Sequence, residues 1–218
     1  MFNVCPSCGL YSEDKTIEPQ DDRRGLALAI CPHCGYGHPF RRHPLFVLTG
    51  ASGAGKTAVC LELARAQVAG APWAPDCVFL EQDILWRAEF ADPENGYRPF
   101  RNMWLRVAKN VGQGGRPVFL CGSAVPRQYE ACPERRYFAA IHYLALVCDD
   151  DLLVERLEAW PGWRRSGDAG FVREMVAFNR WFRENAQHTE PPIALLDNAA
   201  LSVQECAERV AEWVRSRG

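Results

Sequence analysis

An α/β fold with a five-stranded parallel sheet is predicted for this chain, preceded by a small cysteine-rich module. Three observations predict it. Five short apolar runs (45–49, 77–80, 118–120, 141–147 and 193–196) alternate with segments of helical spacing, the pattern of a parallel sheet covered by helices on both faces. A glycine-rich loop, Gly50-Ala-Ser-Gly-Ala-Gly-Lys-Thr57, follows the first run directly. Two C-P-x-C-G pairs, Cys5/Cys8 and Cys31/Cys34, stand ahead of all of this.

A chain of 218 residues can bury one full core and a satellite module. The formal net charge of −2 argues against a protein whose main business is coating nucleic acid. No apolar run is long enough to cross a bilayer. The N-terminus lacks a basic stretch followed by an apolar one, so it does not read as a secretory signal. A cytoplasmic location is expected, and disulfides are rare there, so the ten cysteines need another explanation. Cys60, Cys77, Cys121, Cys132, Cys148 and Cys206 lie in apolar surroundings and read as buried thiols.

Residues 1–43 are read as the cysteine module and 44–218 as the main domain, with the hinge at Arg41-Arg42-His43-Pro44; Pro44 disfavours helix just before it. The run 45–49 is the first strand of the main domain. Residues 56–69 have helical spacing through Val59, Leu61, Leu63 and Ala64. A second strand is expected at 77–80 and a helix at 100–111. Gly114-Gly115-Arg116-Pro117 introduces a third strand at 118–120. A fourth strand at 141–147 leads to a helix at 150–159 whose start is acidic, as the helix dipole favours. A helix at 171–185 and a fifth strand at 193–196 precede a closing helix at 202–217, where Ser202 and Glu205 form a capping box.

The loop at 50–57 fits G-x-x-x-x-G-K-[ST] at every fixed position, between a strand and a helix. Gly50, Gly53 and Gly55 let the backbone wrap tightly, so that N–H groups through Ser52, Gly53, Ala54 and Gly55 converge on phosphate oxygens. The helix N-terminus adds its positive dipole end. Lys56 is expected at the β- and γ-phosphates of ATP, as a catalytic cation, and the Thr57 hydroxyl on Mg²⁺.

Cys5-Pro-Ser-Cys8-Gly9 and Cys31-Pro-His-Cys34-Gly35 are near-identical knuckles with 22 residues between them. Each places two thiolates on one side of a tight turn, and the glycine after the second Cys permits a left-handed backbone. Two such turns make a closed, tetrahedral Cys₄ site of the kind that holds structural Zn²⁺, with a redox dithiol or an iron site as the alternatives. His33 and His38 are expected to be spectators.

The glycine loop has the tighter form G-x-x-G-x-G-K-T, and from about residue 45 to 217 the chain resembles the gluconate kinase, shikimate kinase and chloramphenicol phosphotransferase group. Beyond the loop, four stretches carry the resemblance: Val78-Phe-Leu-Glu-Gln-Asp83; Pro117-Val-Phe-Leu-Cys-Gly-Ser123 with Arg127; Leu152-Leu-Val-Glu-Arg-Leu157; and Leu195-Leu-Asp-Asn198 before the capped helix. The resemblance implies a three-layer P-loop fold and an ATP-dependent phosphotransferase. It implies that Asp83, ending the second strand, serves the acceptor hydroxyl as general base and helps hold Mg²⁺. Glu81, expected to face away, is the weaker candidate, and a helix N-cap is the alternative role for Asp83. It implies a lid after the fourth strand, where Arg156, Arg164 and Arg165 flank Pro161–Gly162 beside Trp160 and Trp163. In it Arg164 is the candidate at the transferring phosphate, with Arg156 and Arg165 on ATP; guanidinium suits phosphate because its charge is permanent and forked. Arg87 and Arg127 are candidates on the acceptor side, with Arg98 and Arg101 beside them. Cys121 stands where many P-loop ATPases keep a carboxylate at the end of the third strand, which speaks against a motor-type ATPase.

The acceptor class stays open among nucleosides, nucleotides, sugars and antibiotics. Two other readings stay open as well: a polynucleotide 5′-kinase whose ribbon presents the strand, and a nucleotide-sensing regulator that docks through the ribbon. The near-neutral charge disfavours nucleic acid as partner. A homodimer is also left open.

Overall fold

Two separate sheets organise the chain. In the computed structural model, which describes residues 2–21, 25–160 and 168–217, strands β1 (Thr16–Asp21), β2 (Leu26–Ile30) and β3 (Gly37–Arg41) form an antiparallel sheet with β2 in the middle. Only Arg42, His43 and Pro44 separate it from β4 (Leu45–Thr49), the first strand of the second sheet.

The second sheet is parallel and has five strands in the order β5-β6-β4-β7-β8, where β5 is Val78–Glu81, β6 Val118–Cys121, β7 Ile141–Val147 and β8 Ile193–Asp197. Strand β4 is central and wholly buried. Its side chains alternate between two cores, as the pleat requires. Leu45 and Val47 pack with α2 (Arg98–Gly112) and α5 (Ala169–Asn185) through Trp104, Leu105 and Phe182. Phe46 and Leu48 pack with α1 (Lys56–Val68) and α6 (Val203–Arg215) through Leu63, Val210 and Val214. Short helix α3 (Pro126–Glu130) and α4 (Asp150–Glu158) complete the layers.

The chain reverses its direction of sheet growth at β4, with β6 on one side and β7 on the other. In open α/β sheets this switch point opens a crevice at the carboxyl ends of the strands. The glycine loop lies there.

The sheet expectations hold with small shifts at element ends. The second strand runs one residue later, Val78–Glu81. Helix α2 begins at Arg98 with Pro99 in its first turn, where a missing N–H costs nothing. Helix α5 starts at Ala169, capped by the Asp168 carboxylate, which accepts from Gly170 N at 2.7 Å. The capping box of α6 is present, with Ser202 Oγ accepting from Glu205 N at 3.2 Å and Glu205 Oε2 accepting from Ser202 N at 2.8 Å.

The small sheet lies against the large domain along α2 and the turn at Pro133–Tyr137. Phe2, Ala27, Ala29 and Phe40 bury one face against Tyr137, with Phe2 and Tyr137 edge to face at 5.3 Å. Lys109 Nζ on α2 meets Glu134 Oε2 at 2.6 Å, and both side chains are 2% exposed. The same ammonium lies 3.9 Å from the Tyr137 ring centroid and 5.2 Å from that of Phe2. Arg106 bridges Glu13 at 2.8 Å and Glu134 at 3.0 Å. Backbone contacts join in, with Phe2 N donating to Asn110 Oδ1 at 3.2 Å.

Candidate active site

The glycine loop keeps its shape through its own backbone and a lysine. Gly50 has φ +134°, and a Cβ there would come within 2.5 Å of the Leu146 carbonyl on β7, so only glycine fits between the two central strands. Lys56 Nζ reaches back to the carbonyls of Gly50 and Ala51 at 3.1 and 2.9 Å. Desolvation lowers its pKa from the ordinary lysine value, while Cys121, Asp83 and Glu81 pull the other way. Ser123 Oγ donates to Gly50 O at 2.9 Å, and Thr49 Oγ1 donates to Ala124 O at 2.6 Å. The loop after β6 is thereby tied to the loop after β4.

A cavity of about 1930 Å³ opens over this loop. It is lined by Ser52, Gly53, Gly55, Lys56 and Thr57 on its floor. Gly50 and Ala54 lie beneath that floor: Ala54 is fully buried and its carbonyl accepts from Asn198 Nδ2 at 2.8 Å. Asn198 Oδ1 in turn accepts from Arg156 Nη1 at 3.1 Å. This joins the glycine loop, the end of β8 and α4 in one network. Asn198 had no assigned role in the sequence, although its place directly after a strand was a usable signal.

The acidic pair differs from expectation. Strand β5 ends at Glu81, and the chain then tightens into a single turn at Gln82–Leu85. Asp83 therefore lies beyond the strand, exposed on the cavity wall, and no side chain caps that turn. Glu81 does not face away. Its Oε1 accepts the Thr57 hydroxyl hydrogen bond at 2.6 Å. Residues two apart on a strand share a face, so Glu81 follows β5 to the loop side of the sheet. A hydroxyl and carboxylates are hard oxygen donors of the kind Mg²⁺ takes.

The arginines sort into separate groups. Arg101 is buried on the cavity wall; its guanidinium donates to Gln82 Oε1 and to Ser123 O, the latter at 2.7 Å. Arg127 is exposed and lines the same cavity, as does Arg156. Arg87 and Arg98 are exposed and do not line it. Trp86 and Ala91, on either side of Arg87, do line it, so the cavity wall passes close to Arg87 without including it. Arg164, Arg165 and Trp163 lie outside the described residues. Trp160 lines the cavity. Cys121 ends β6 at 1% exposure, and its thiol is pushed well above its ordinary pKa by Cys60 and by burial. Together with Cys60, Cys77, Cys132, Cys148 and Cys206, it is a buried free thiol.

The two cysteine knuckles are near copies. Gly9 and Gly35 both have φ +73°, and their N–H groups donate to Cys5 O and Cys31 O at 2.9 Å in each case. The sulfurs of Cys5 and Cys34 are 3.6 Å apart, those of Cys8 and Cys31 3.8 Å, and all four lie within 4.8 Å of one another. A tetrahedron with Zn–S bonds of about 2.3 Å has edges of about 3.8 Å, so the sulfur cluster fits Zn²⁺. Neither His33 nor His38 belongs to it.

No protein-family model matches the chain, and no curated protein matches it in sequence. Solved structures do match in fold. A sugar kinase from a Janibacter species is 19% identical with a TM-score of 0.55, over 79% of this chain and 95% of that one. A gluconokinase from Sinorhizobium meliloti is 20% identical with a TM-score of 0.50, over 82% and 99%. A shikimate kinase from Acinetobacter baumannii, solved with shikimate, is 15% identical with a TM-score of 0.50, over 80% and 94%. The large domain thus has the fold of P-loop small-molecule kinases, and the four-cysteine module stands in front of it. Among the described residues no helix is long and apolar enough to cross a membrane.

Proposed function

We propose that the chain is an ATP-dependent phosphotransferase acting on a small-molecule acceptor, with residues 1–43 as a zinc ribbon and 44–218 as the kinase domain. The observation that carries this reading is the grouping of Lys56, the Thr57–Glu81 pair and Asp83 around one glycine loop at the mouth of one cavity. The phosphates of ATP bind the loop N–H groups of residues 50–57 and displace the carbonyls that Lys56 now holds. Arg156, with Asn198 behind it, borders the nucleotide side. Thr57, with Glu81 and Asp83 close by, would hold Mg²⁺, which when bound supplies charge neutralisation at the phosphates. Cys5, Cys8, Cys31 and Cys34 would hold Zn²⁺ as a structural ion, since all four positions are filled by protein.

In the transfer, an acceptor hydroxyl oxygen forms a bond to the γ-phosphorus as the bond from that phosphorus to the β,γ-bridging oxygen breaks. ADP leaves, and Asp83 takes the hydroxyl proton. Lys56 stabilises the charge that gathers on the transferring group. Arg164 and Arg165 are proposed to join from the lid side.

The test is ADP formation from Mg–ATP with the zinc-loaded protein across nucleosides, nucleotides, sugars, aminoglycosides and 5′-hydroxyl oligonucleotides. Asp83→Asn is expected to lower transfer by about 10²–10⁴-fold with ATP affinity nearly intact. Undiminished turnover in that variant removes Asp83 from the base role. Stimulation by oligonucleotides alone would replace the small-molecule acceptor with a nucleic acid.

A further inference from the structure

Arg101 is 6% exposed, yet it has no carboxylate within ion-pair distance among the described residues. Its hydrogen-bond partners are neutral, the Gln82 side-chain oxygen and the Ser123 carbonyl, and the ring centroids of Tyr97, Phe100 and Tyr129 lie 5.5–5.6 Å from its guanidinium carbon. Its Nε hydrogen meets no acceptor, and neither does the Nε2 of Gln82, which is itself 1% exposed. Both residues line the cavity. A guanidinium is a permanent charge, so burial cannot relieve itself by deprotonation, and a desolvated cation without a counter-charge is costly. Arg127 adds a second guanidinium to the same wall, again with no carboxylate partner among the described residues. Of the carboxylates that line the cavity, Glu81 and Asp83 act on Lys56, and Glu174 on α5 and Glu190 before β8 make no ion pair with Arg101 or Arg127 among the described residues.

Around these cations the wall is built of rings. Trp86 stands edge to face on Phe100 at 5.1 Å and on Tyr97 at 5.9 Å, and all three line the cavity. Trp86 keeps 44% of its surface exposed despite that support, so an open indole is presented to whatever enters. Helix α5 contributes Phe171, Phe178 and Trp181 to the lining. A polyol acceptor would set hydroxyls against these rings with few partners to receive them. A flat ring would bury apolar area and stack.

We infer that the acceptor is an anion bearing a flat aromatic ring, unlike the puckered, hydroxylated ring of shikimate: its oxyanion, a phosphate or a carboxylate, docks on Arg101 and Arg127 and its ring lies against Trp86 and Tyr97. The reacting hydroxyl is then at the far end, toward Asp83. This rests on the phosphotransferase reading and narrows its acceptor.

Calorimetric titration of the zinc-loaded full chain tests it, in Mg²⁺ with a non-hydrolysable ATP analogue. The probes are nucleoside 5′-monophosphates, hydroxylated aromatic carboxylates, the parent nucleosides, gluconate and shikimate. One ring-bearing anion is expected to bind at least about tenfold more tightly than its neutral counterpart and than gluconate or shikimate. A phosphate-bearing winner identifies a nucleotide, a carboxylate-bearing one an aromatic acid. Arg101→Gln should erase the preference for the anion. Should that variant fail to fold, exposed Arg127→Gln should still reduce it severalfold, and Trp86→Ala should weaken the ring-bearing probe without touching gluconate. Equal binding of a nucleoside and its monophosphate overturns the inference. So does tighter binding of gluconate or shikimate, or no ring-bearing anion binding at millimolar concentration. A ring-bearing anion that binds but yields no ADP with ATP leaves the inference standing and overturns the phosphotransferase reading instead.

Discussion

Lys109 and Arg101 are buried on the same helix, 3% and 6% exposed, and they meet different company. Lys109 lies in the seam between the ribbon and the large domain, where Glu134 supplies a carboxylate at 2.6 Å and Tyr137 supplies a ring face. Burial lowers its pKa from the ordinary value while Glu134 opposes that shift. Arg101 lies in the cavity wall; it too has ring faces about it, those of Tyr97, Phe100 and Tyr129, but its hydrogen-bond acceptors are neutral. Where a cation serves the joint between two parts of one chain, the fold brings the counter-charge itself. Where a cation borders a cavity, the fold brings enough to orient it and leaves the charge unanswered, which is the arrangement expected of a group whose partner arrives from solution.

The severest way to break the seam is to remove the metal proposed for the four cysteines. Cys31→Ser should abolish the Cys₄ site, whose apparent contribution in small zinc modules is roughly 10 kcal/mol or more. Hydrogen exchange should then rise through β1–β3 and reach residues 98–112 of α2, while α1 stays protected. Protection of α2 at the level of the intact protein would mean that the seam does not depend on the ribbon's order. Next in size is Glu134→Gln, which strands Lys109 as an unpaired buried charge and should cost about 3–5 kcal/mol in chemical denaturation. The double variant Lys109→Met with Glu134→Leu sharpens the point: by removing both charges it should recover most of that loss.

The contrast predicts a smaller effect at the other end of the helix. Arg101→Met removes a charge that has no carboxylate partner among the described residues, so the hydrogen bonds to Gln82 and Ser123 and the contacts with the Tyr97, Phe100 and Tyr129 rings are forfeited. Denaturation should report a loss of about 1–2 kcal/mol. A loss as large as that of Glu134→Gln would show that Arg101 is a structural cation after all. Smallest is Arg116→Ala. Its partner Asp76 is 3.5 Å away and the two side chains are 50% and 80% exposed, so stability should change by less than about 0.5 kcal/mol.

Much of this was legible from residue order because its causes are local. The five strands of the large sheet announce themselves as apolar runs, since a strand buried on both faces has no room for polar alternation. The glycine loop and the cysteine knuckles are short motifs whose spacing is their geometry. The Ser202–Glu205 box is read directly from two letters three positions apart. Strand β1 was invisible for the opposite reason. Its sequence Thr16-Ile-Glu-Pro-Gln-Asp21 has little strand character and a proline, and it is a strand because β2 pairs with it. Glu81 was undervalued on a parity that the pleat does not allow: residues two apart on a strand share a face, so Glu81 turns with Phe79 toward α1. Nor could the sequence separate Arg101 from Arg98. Both are arginines at the start of a helix, and only the tertiary packing buries one and exposes the other.

The Phe2–Asn110 hydrogen bond spans 108 residues of chain, and that span has a consequence for how the protein is made. The ribbon leaves the ribosome ahead of the large domain, and the helix and the Glu134–Tyr137 turn that cover its apolar face are synthesised long afterwards. Until then Phe2, Phe40, Ala27 and Ala29 have nothing to bury against except each other, and the metal is what can hold the nascent module together. Docking is a late, long-range closure whose loop entropy is met only when most of the large domain exists. If the four cysteines hold zinc as proposed, its supply during translation should bear on the yield of folded protein even before it bears on the finished molecule.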